Sequence, residues 1–227
     1  QVNTASESYV AWNWYMEATG SGSALTSGSI NTTALVDTNL GLSVGTYTGS
    51  GSAGTIETGL TNTKFIIVKR RDSGANWASW HVGLTDDRNV YLDVNNAQQA
   101  DGLYDTSSNT STLIAFGGGG GAVNAGSGTY SFIAFAPSQF TSIGSYKGNG
   151  NANGTFVPTV NIHNPNEKEL DADLSNAEFT NSDLDIDTGG FKLRSSDNLF
   201  NNSSGTYIYL AFGTPLIDVD GRIITGR

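Results

Sequence analysis

Apolar and polar residues alternate along this chain in runs of roughly five to eight, and each run ends in a cluster of Gly, Asn, Ser or Asp. A period of two is the pattern of a strand with one face in a core and the other toward solvent, and no stretch sustains the helical period. The runs that read as strands are Tyr9–Tyr15, Leu42–Tyr47, Phe65–Arg70, Trp77–Val82, Val90–Val94, Ser111–Phe116, Thr129–Ala136, Thr141–Tyr146, Phe156–Ile162, Gly190–Arg194 and Thr206–Phe212. About eleven such strands in 227 residues predict an all-β fold, a two-sheet sandwich of jelly-roll or concanavalin-like type. Twenty-nine glycines against four prolines provide the turns. Residues 20–39 are mostly small and lack strong periodicity, so 1–39 reads as an N-terminal strand followed by a Gly/Ser/Thr-rich linker or arm.

Two repeats divide what remains. Gly45-Thr46-Tyr47-Thr48-Gly49-Ser50-Gly51 recurs as Gly144-Ser145-Tyr146-Lys147-Gly148-Asn149-Gly150. Tyr130-Ser131-Phe132-Ile133-Ala134-Phe135 recurs as Tyr207-Ile208-Tyr209-Leu210-Ala211-Phe212, and Tyr9-Val10-Ala11-Trp12-Asn13-Trp14 resembles a third copy. Self-similarity of this kind predicts a duplicated β-unit, 40–140 and 141–227, packed as one domain, the second unit carrying an acidic insert at 164–187. The Glu167–Asp171 start of that insert reads as a short helix. The repeated closing strands are apolar on both faces, which predicts cover on both sides or a subunit interface around Tyr9, Tyr130 and Tyr207.

A formal charge of −10 opposes phosphate backbones and anionic lipid, so nucleic acid and membrane insertion are not expected. Without cysteine there is no disulfide, thiolate zinc site or cysteine nucleophile. An opening Gln1 in place of methionine reads as a processed form or a segment of something longer.

Chemistry-bearing motifs are sparse. Gly49-Ser50-Gly51-Ser52-Ala53-Gly54 satisfies G-x-G-x-x-G with Asp72 downstream, yet no amphipathic helix follows, so a hairpin turn is expected. Gly117–Gly121 lacks the Gly-Lys-Ser/Thr of a phosphate loop and reads as a flexible loop. His81 and His163 have no metal-spaced partner, and no Gly-x-Ser-x-Gly elbow occurs. Glu167, Glu169 and Asp171 are spaced like a glycosidase pair but read as solvated loop charge. Asp183, Asp185 and Asp187 share one strand face and are weak calcium candidates, as is the turn Asp218-Val219-Asp220-Gly221. Trp77, Trp80, Tyr91 and Tyr104 form a possible glycan platform if exposed. No cofactor is expected.

At Tyr9–Trp12, Gly41–Gly51, Ile66–Arg71, Trp77–His81 and Tyr207–Phe212 the chain resembles an uncharacterised β-rich repeat domain of tail and other virion proteins from marine and cyanobacterial tailed phages. It departs from that pattern at Asn161–Asp187 and Ile217–Arg227. The resemblance implies a non-enzymatic virion structural protein, a fibre, tail or capsid-surface component with an adhesive role, located in the extracellular particle. Implied partners are copies of itself, other virion proteins and a host surface glycan. The alternatives are a carbohydrate-binding module recognising host glycans and a bacterial surface adhesin or fibre subunit.

Overall fold

A computed structural model describes residues 14, 16, 20–118, 120–153, 156–159, 168–169, 179–180, 183–187, 189–213, 216–217 and 223–224. In chain order its strands are β1 (Ser23–Leu25), β2 (Thr32–Asp37), β3 (Leu42–Thr48), β4 (Gly54–Glu57), β5 (Phe65–Arg70), β6 (Ala78–His81), β7 (Val90–Tyr91), β8 (Leu113–Phe116), β9 (Thr129–Phe135) and β10 (Thr141–Lys147). They continue as β11 (Phe156–Pro158), β12 (Lys168–Glu169), β13 (Phe179–Thr180), β14 (Leu184–Asp187), β15 (Gly190–Leu193), β16 (Thr206–Phe212), β17 (Leu216–Ile217) and β18 (Ile223–Ile224). One four-residue helix, α1 (Gly121–Asn124), precedes β9.

The fold is all-β. A seven-stranded antiparallel sheet runs β1-β2-β3-β9-β5-β6-β7, and the pair β4-β8 packs on its inner face. Alternation decides which side chains meet there: Tyr47, Tyr130, Phe132, Ile66 and Val68 point inward against Ile56, Ile114 and Phe116, all buried. Each such side chain contributes about 1.5–3 kcal/mol through burial. Tyr47 stacks on Tyr130 with ring centroids 4.9 Å apart.

On the outer face the ribbon β10-β16 covers one end of the sheet, where Leu42, Phe65 and Phe135 pack against Ile143 and Leu210. Trp14 and Phe212 close this contact, 6.0 and 5.6 Å from Phe135 between ring centroids. Beyond the ribbon lies the small sheet β11-β15-β14, whose Val157, Phe191 and Leu193 pack against Tyr146 and Tyr209. β16 is therefore packed on both faces within one chain, and β9 is covered on its outer face at the Phe135 end.

The paired repeats occupy matching positions. β3 pairs with β9 and β4 with β8, while β10 pairs with β16 and β11 with β15. Tyr146 stacks on Tyr207 at 5.1 Å, as Tyr47 does on Tyr130. What lies between the matched strands differs: β5, β6 and β7 in one half, the acidic insert in the other.

Two expectations are corrected. Residues 23–37 are not a linker, because β1 and β2 belong to the main sheet and Thr32 donates its hydroxyl to Glu57 O at 2.8 Å. Lys168 and Glu169 form a strand against Phe179 and Thr180 instead of a helix; cross-strand pairing supplies hydrogen bonds that so short a helix lacks. Within the segment read as a flexible loop, Gly117 and Gly120 stand against Gly102 and Leu103, where a Cβ on either would clash.

Candidate functional site

The glycine corners are the segments that carry the G-x-G-x-x-G pattern and its repeat. Gly49–Ala53 joins β3 to β4, which lie in different sheets, so the segment is a corner between layers and not a hairpin turn. Gly51 has φ +78°, and a Cβ on Gly49 would lie 2.3 Å from Ala125 O. The buried Asn124 amide clamps the corner: Oδ1 accepts from Ser50 N–H at 2.8 Å and Nδ2 donates to Ser52 O at 2.6 Å. The second corner is built alike. Gly150 has φ +66°, and Asn201 Oδ1 accepts from Asn149 N–H at 2.9 Å while Nδ2 donates to Asn151 O at 3.0 Å. Tyr130 and Tyr207 hydroxyls each donate to one backbone carbonyl, of Gly121 and Asn198, and accept one N–H, of Ala125 and Asn202. These polar groups serve the backbone and leave no phosphate cradle; Asp72 pairs with Arg70 at 2.8 Å, and that hydrogen bond holds its carboxyl below the usual range.

His81 joins the halves. Its side chain lies on the outer face of β6, buried at 1 % exposure against Phe65. Nδ1 accepts Gly83 N–H at 2.9 Å, which assigns the proton to Nε2, 3.2 Å from Tyr209 O in β16. Burial holds its pKa below the ordinary value, with the Tyr209 carbonyl acting in the opposite sense. Both nitrogens are thus engaged, so His81 is a structural histidine.

The aromatic platform does not assemble. Trp80 (7 % exposed) and Tyr104 (2 %) point inward with the core, and burial raises the Tyr104 pKa far above its ordinary value. Tyr91 is half-buried, its hydroxyl donating to Asp101 at 2.5 Å, and its pKa is pushed up to about 12 by burial and that carboxylate. Trp77 alone of the four is exposed, at 41 %. Tyr130 is fully buried in the core, which removes it from any subunit interface; Tyr207 is half-buried, and Tyr9 lies outside the described residues.

Acidic candidates fare no better. Asp185 pairs with Arg194 and faces Lys192 across the β14-β15 ladder, so cations already neutralise the position a calcium ion would need. No group of three metal-ligating side chains occurs among the described residues. The side chains of Glu169 and Asp187, and residues Glu167, Asp171, His163, Asp218 and Asp220, lie outside what the structure describes.

Among the described residues one surface is left open: the part of the seven-stranded sheet's outer face that β10-β16 does not cover. Register arranges it in rows across the strands. Leu35, Val44, Ile133 and Ile67 form an apolar row, with Val44 exposed at 40 %. The next row is Ala24, Thr33, Thr46, Ser131 and Lys69, and Trp77 follows with the Lys69 ammonium 5.4 Å from its ring centroid. Thr48 pairs with Thr129 beyond that, and Arg71 donates its N–H to Thr129 O at 2.8 Å. Lys69, Arg71 and the hydroxyl row escaped the sequence reading. The alternation of Thr46 with Thr48 and of Thr129 with Ser131 signals one polar face, but not which strands stand side by side.

A family model matches the chain over residues 1–161 and again over 160–215. The chain belongs to that family, Domain of unknown function (DUF7483). No curated protein and no solved structure matches the chain. The family description names no activity.

Proposed function

We propose that the chain is a non-enzymatic structural component of a tailed-phage virion, a fibre, tail or capsid-surface protein with an adhesive role. The supporting observation is how the protein uses the residue types that elsewhere perform chemistry. Both His81 nitrogens, the Asn124 and Asn201 amides and the Tyr47, Tyr130, Tyr146 and Tyr207 hydroxyls all bond to backbone groups that hold corners and layers together. Side chains committed in this way make a stiff body that bears load and presents a surface. The phage assignment rests on the motif resemblance, and assembly with copies of itself and with other virion proteins belongs to the same reading. Mass spectrometry of density-purified particles tests it: the chain is expected at structural-protein stoichiometry, and its absence from particles while present in the infected-cell lysate overturns the assignment. Hydrolysis of a glycan, ester or peptide that is lost on changing His81 or Glu169 overturns the non-enzymatic part.

A further inference from the structure

We propose that the outer edge of β16 is a strand-docking site and that its occupant is the chain's own N-terminal segment, Tyr9–Trp14, running beside β16 in the same direction. The inference is independent of the virion reading.

Hydrogen-bond geometry locates the edge. Gly213 N–H donates to Phe140 O at 3.0 Å at one end of the β10-β16 ribbon, and Gly148 N–H donates to Gly205 O at 2.8 Å at the other. Alternation between those ends turns the backbone groups of Tyr207, Tyr209 and Ala211 toward β10 and those of Ile208, Leu210 and Phe212 away from it. Among the described residues β16 pairs with β10 alone, so these three residues present an open row of donors and acceptors. The first half shows what such a position holds. β9, the counterpart of β16, pairs with β3 on one edge and with β5 on the other, and β3 corresponds to β10. The edge that β5 fills on β9 is the edge left open on β16.

A tether decides which strand docks there. The Trp14 ring stands 5.6 Å from Phe212, the last residue of β16, and 6.0 Å from Phe135. Tyr9–Asn13 lie outside the described residues, and the chain that carries them therefore starts at the end of this edge. Reaching back along β16 sets Trp12 beside Leu210 and Val10 beside Ile208. A short tether gives an effective concentration of about millimolar, which a separate chain at micromolar concentration does not match.

Side-chain chemistry agrees with the place. Leu210 and Phe212 face the main sheet and Tyr209 faces the small sheet, so a strand added here lies between two layers. It has to be apolar on both faces, as parallel strands are, and Tyr9-Val10-Ala11-Trp12-Asn13-Trp14 carries no charge and little alternation. With Trp14 turned to Phe135, period two puts Trp12 and Val10 on the same side, toward the open apolar row of Ile133 and Ile67.

A chain without cysteine makes the test clean. Neighbouring strands stand about 4.8 Å apart, within the roughly 4.4–6.8 Å that a disulfide spans between Cα atoms. Mild oxidation of the full chain carrying Val10→Cys and Ile208→Cys should give an intrachain disulfide, read on non-reducing gels and by peptide mass spectrometry. The control pair Val10→Cys with Leu199→Cys, the latter at an exposed corner, should stay reduced. In wild type the Ile208 and Leu210 amides should exchange hydrogen as slowly as Tyr209, and Ala11→Pro should speed them at least about tenfold while leaving Tyr209 unchanged. Disulfide-linked dimers in place of the intrachain bond assign the edge to a second copy and overturn the proposal. Equal oxidation of both pairs, wild-type Ile208 and Leu210 amides that exchange as fast as exposed loops, or a folded Ala11→Pro variant with unchanged exchange overturns it as well.

Discussion

Truncating Asn201 tests whether the corners hold the two halves in shape. The side chain is fully buried, and its amide reaches three backbone groups: Asn149 N–H at 2.9 Å, Asn151 O at 3.0 Å and Ser195 O at 2.8 Å. A net hydrogen bond is worth about 1 kcal/mol, and groups left without a partner in a buried site add to that, so Asn201→Ala should cost about 3 kcal/mol. Asn124 reaches only two backbone groups, Ser50 N–H and Ser52 O, and both serines are exposed enough for water to replace the amide. Asn124→Ala should therefore cost less, about 2 kcal/mol. Urea unfolding followed by far-ultraviolet circular dichroism measures both. Trp77 and Trp80 lie in the first half while Trp14 stands 5.6 Å from Phe212 of β16, so in a Trp12→Phe/Trp14→Phe background fluorescence reports the first half. If the His81–Tyr209 junction couples the halves, Asn201→Ala shifts both signals together; if it does not, fluorescence keeps the wild-type midpoint. A cost under about 1 kcal/mol for Asn201→Ala, or a larger cost for Asn124→Ala, would refute the bond-counting argument.

Acid should weaken the protein through His81. Its folded pKa lies below the unfolded value, so the unfolded chain binds the proton first, and stability present above about pH 6.5 is lost as pH falls through the folded pKa. The slope contributed by this one group is at most about 1.4 kcal/mol per pH unit, and His81→Gln should flatten that window in thermal melts. Gly49→Ala and Gly148→Ala would place Cβ atoms 2.3 and 2.2 Å from the carbonyl oxygens of Ala125 and Asn202. Each should lose about 1–3 kcal/mol, whereas Gly74→Ala, with nothing within 4 Å, should change stability little by the same urea measurement. Trp80→Ala should cost about 3–5 kcal/mol as a core truncation, while Trp77→Ala should cost far less, and equal losses would contradict the opposite orientations of the two rings.

Strand content and the two repeated motifs were legible in the chain itself, because each is a local property. Alternation marks a strand wherever one face is buried, which is why Phe65–Arg70 and Thr206–Phe212 are found with the bounds expected of them. Repetition marked Tyr47 with Tyr146 and Tyr130 with Tyr207, and their stacking follows from the pairing of the strands that carry them. Local pattern failed at Ser23–Leu25 and Thr32–Asp37, where small residues hide the period and a partner strand supplies the reason to be extended. It also failed to separate Trp77 from Trp80: both are aromatic and three residues apart, and only the register of β6 on β5 sends one to solvent and the other to the core. The apolar closing strands posed the same problem. Their two faces demand cover, but whether a second chain or the same chain provides it depends on how β10-β16 folds back over the sheet, and that is decided by contacts far apart in sequence such as His81 with Tyr209. The open row from Thr33 to Trp77 belongs to this class as well, since a surface drawn from five strands exists only after register has set them side by side.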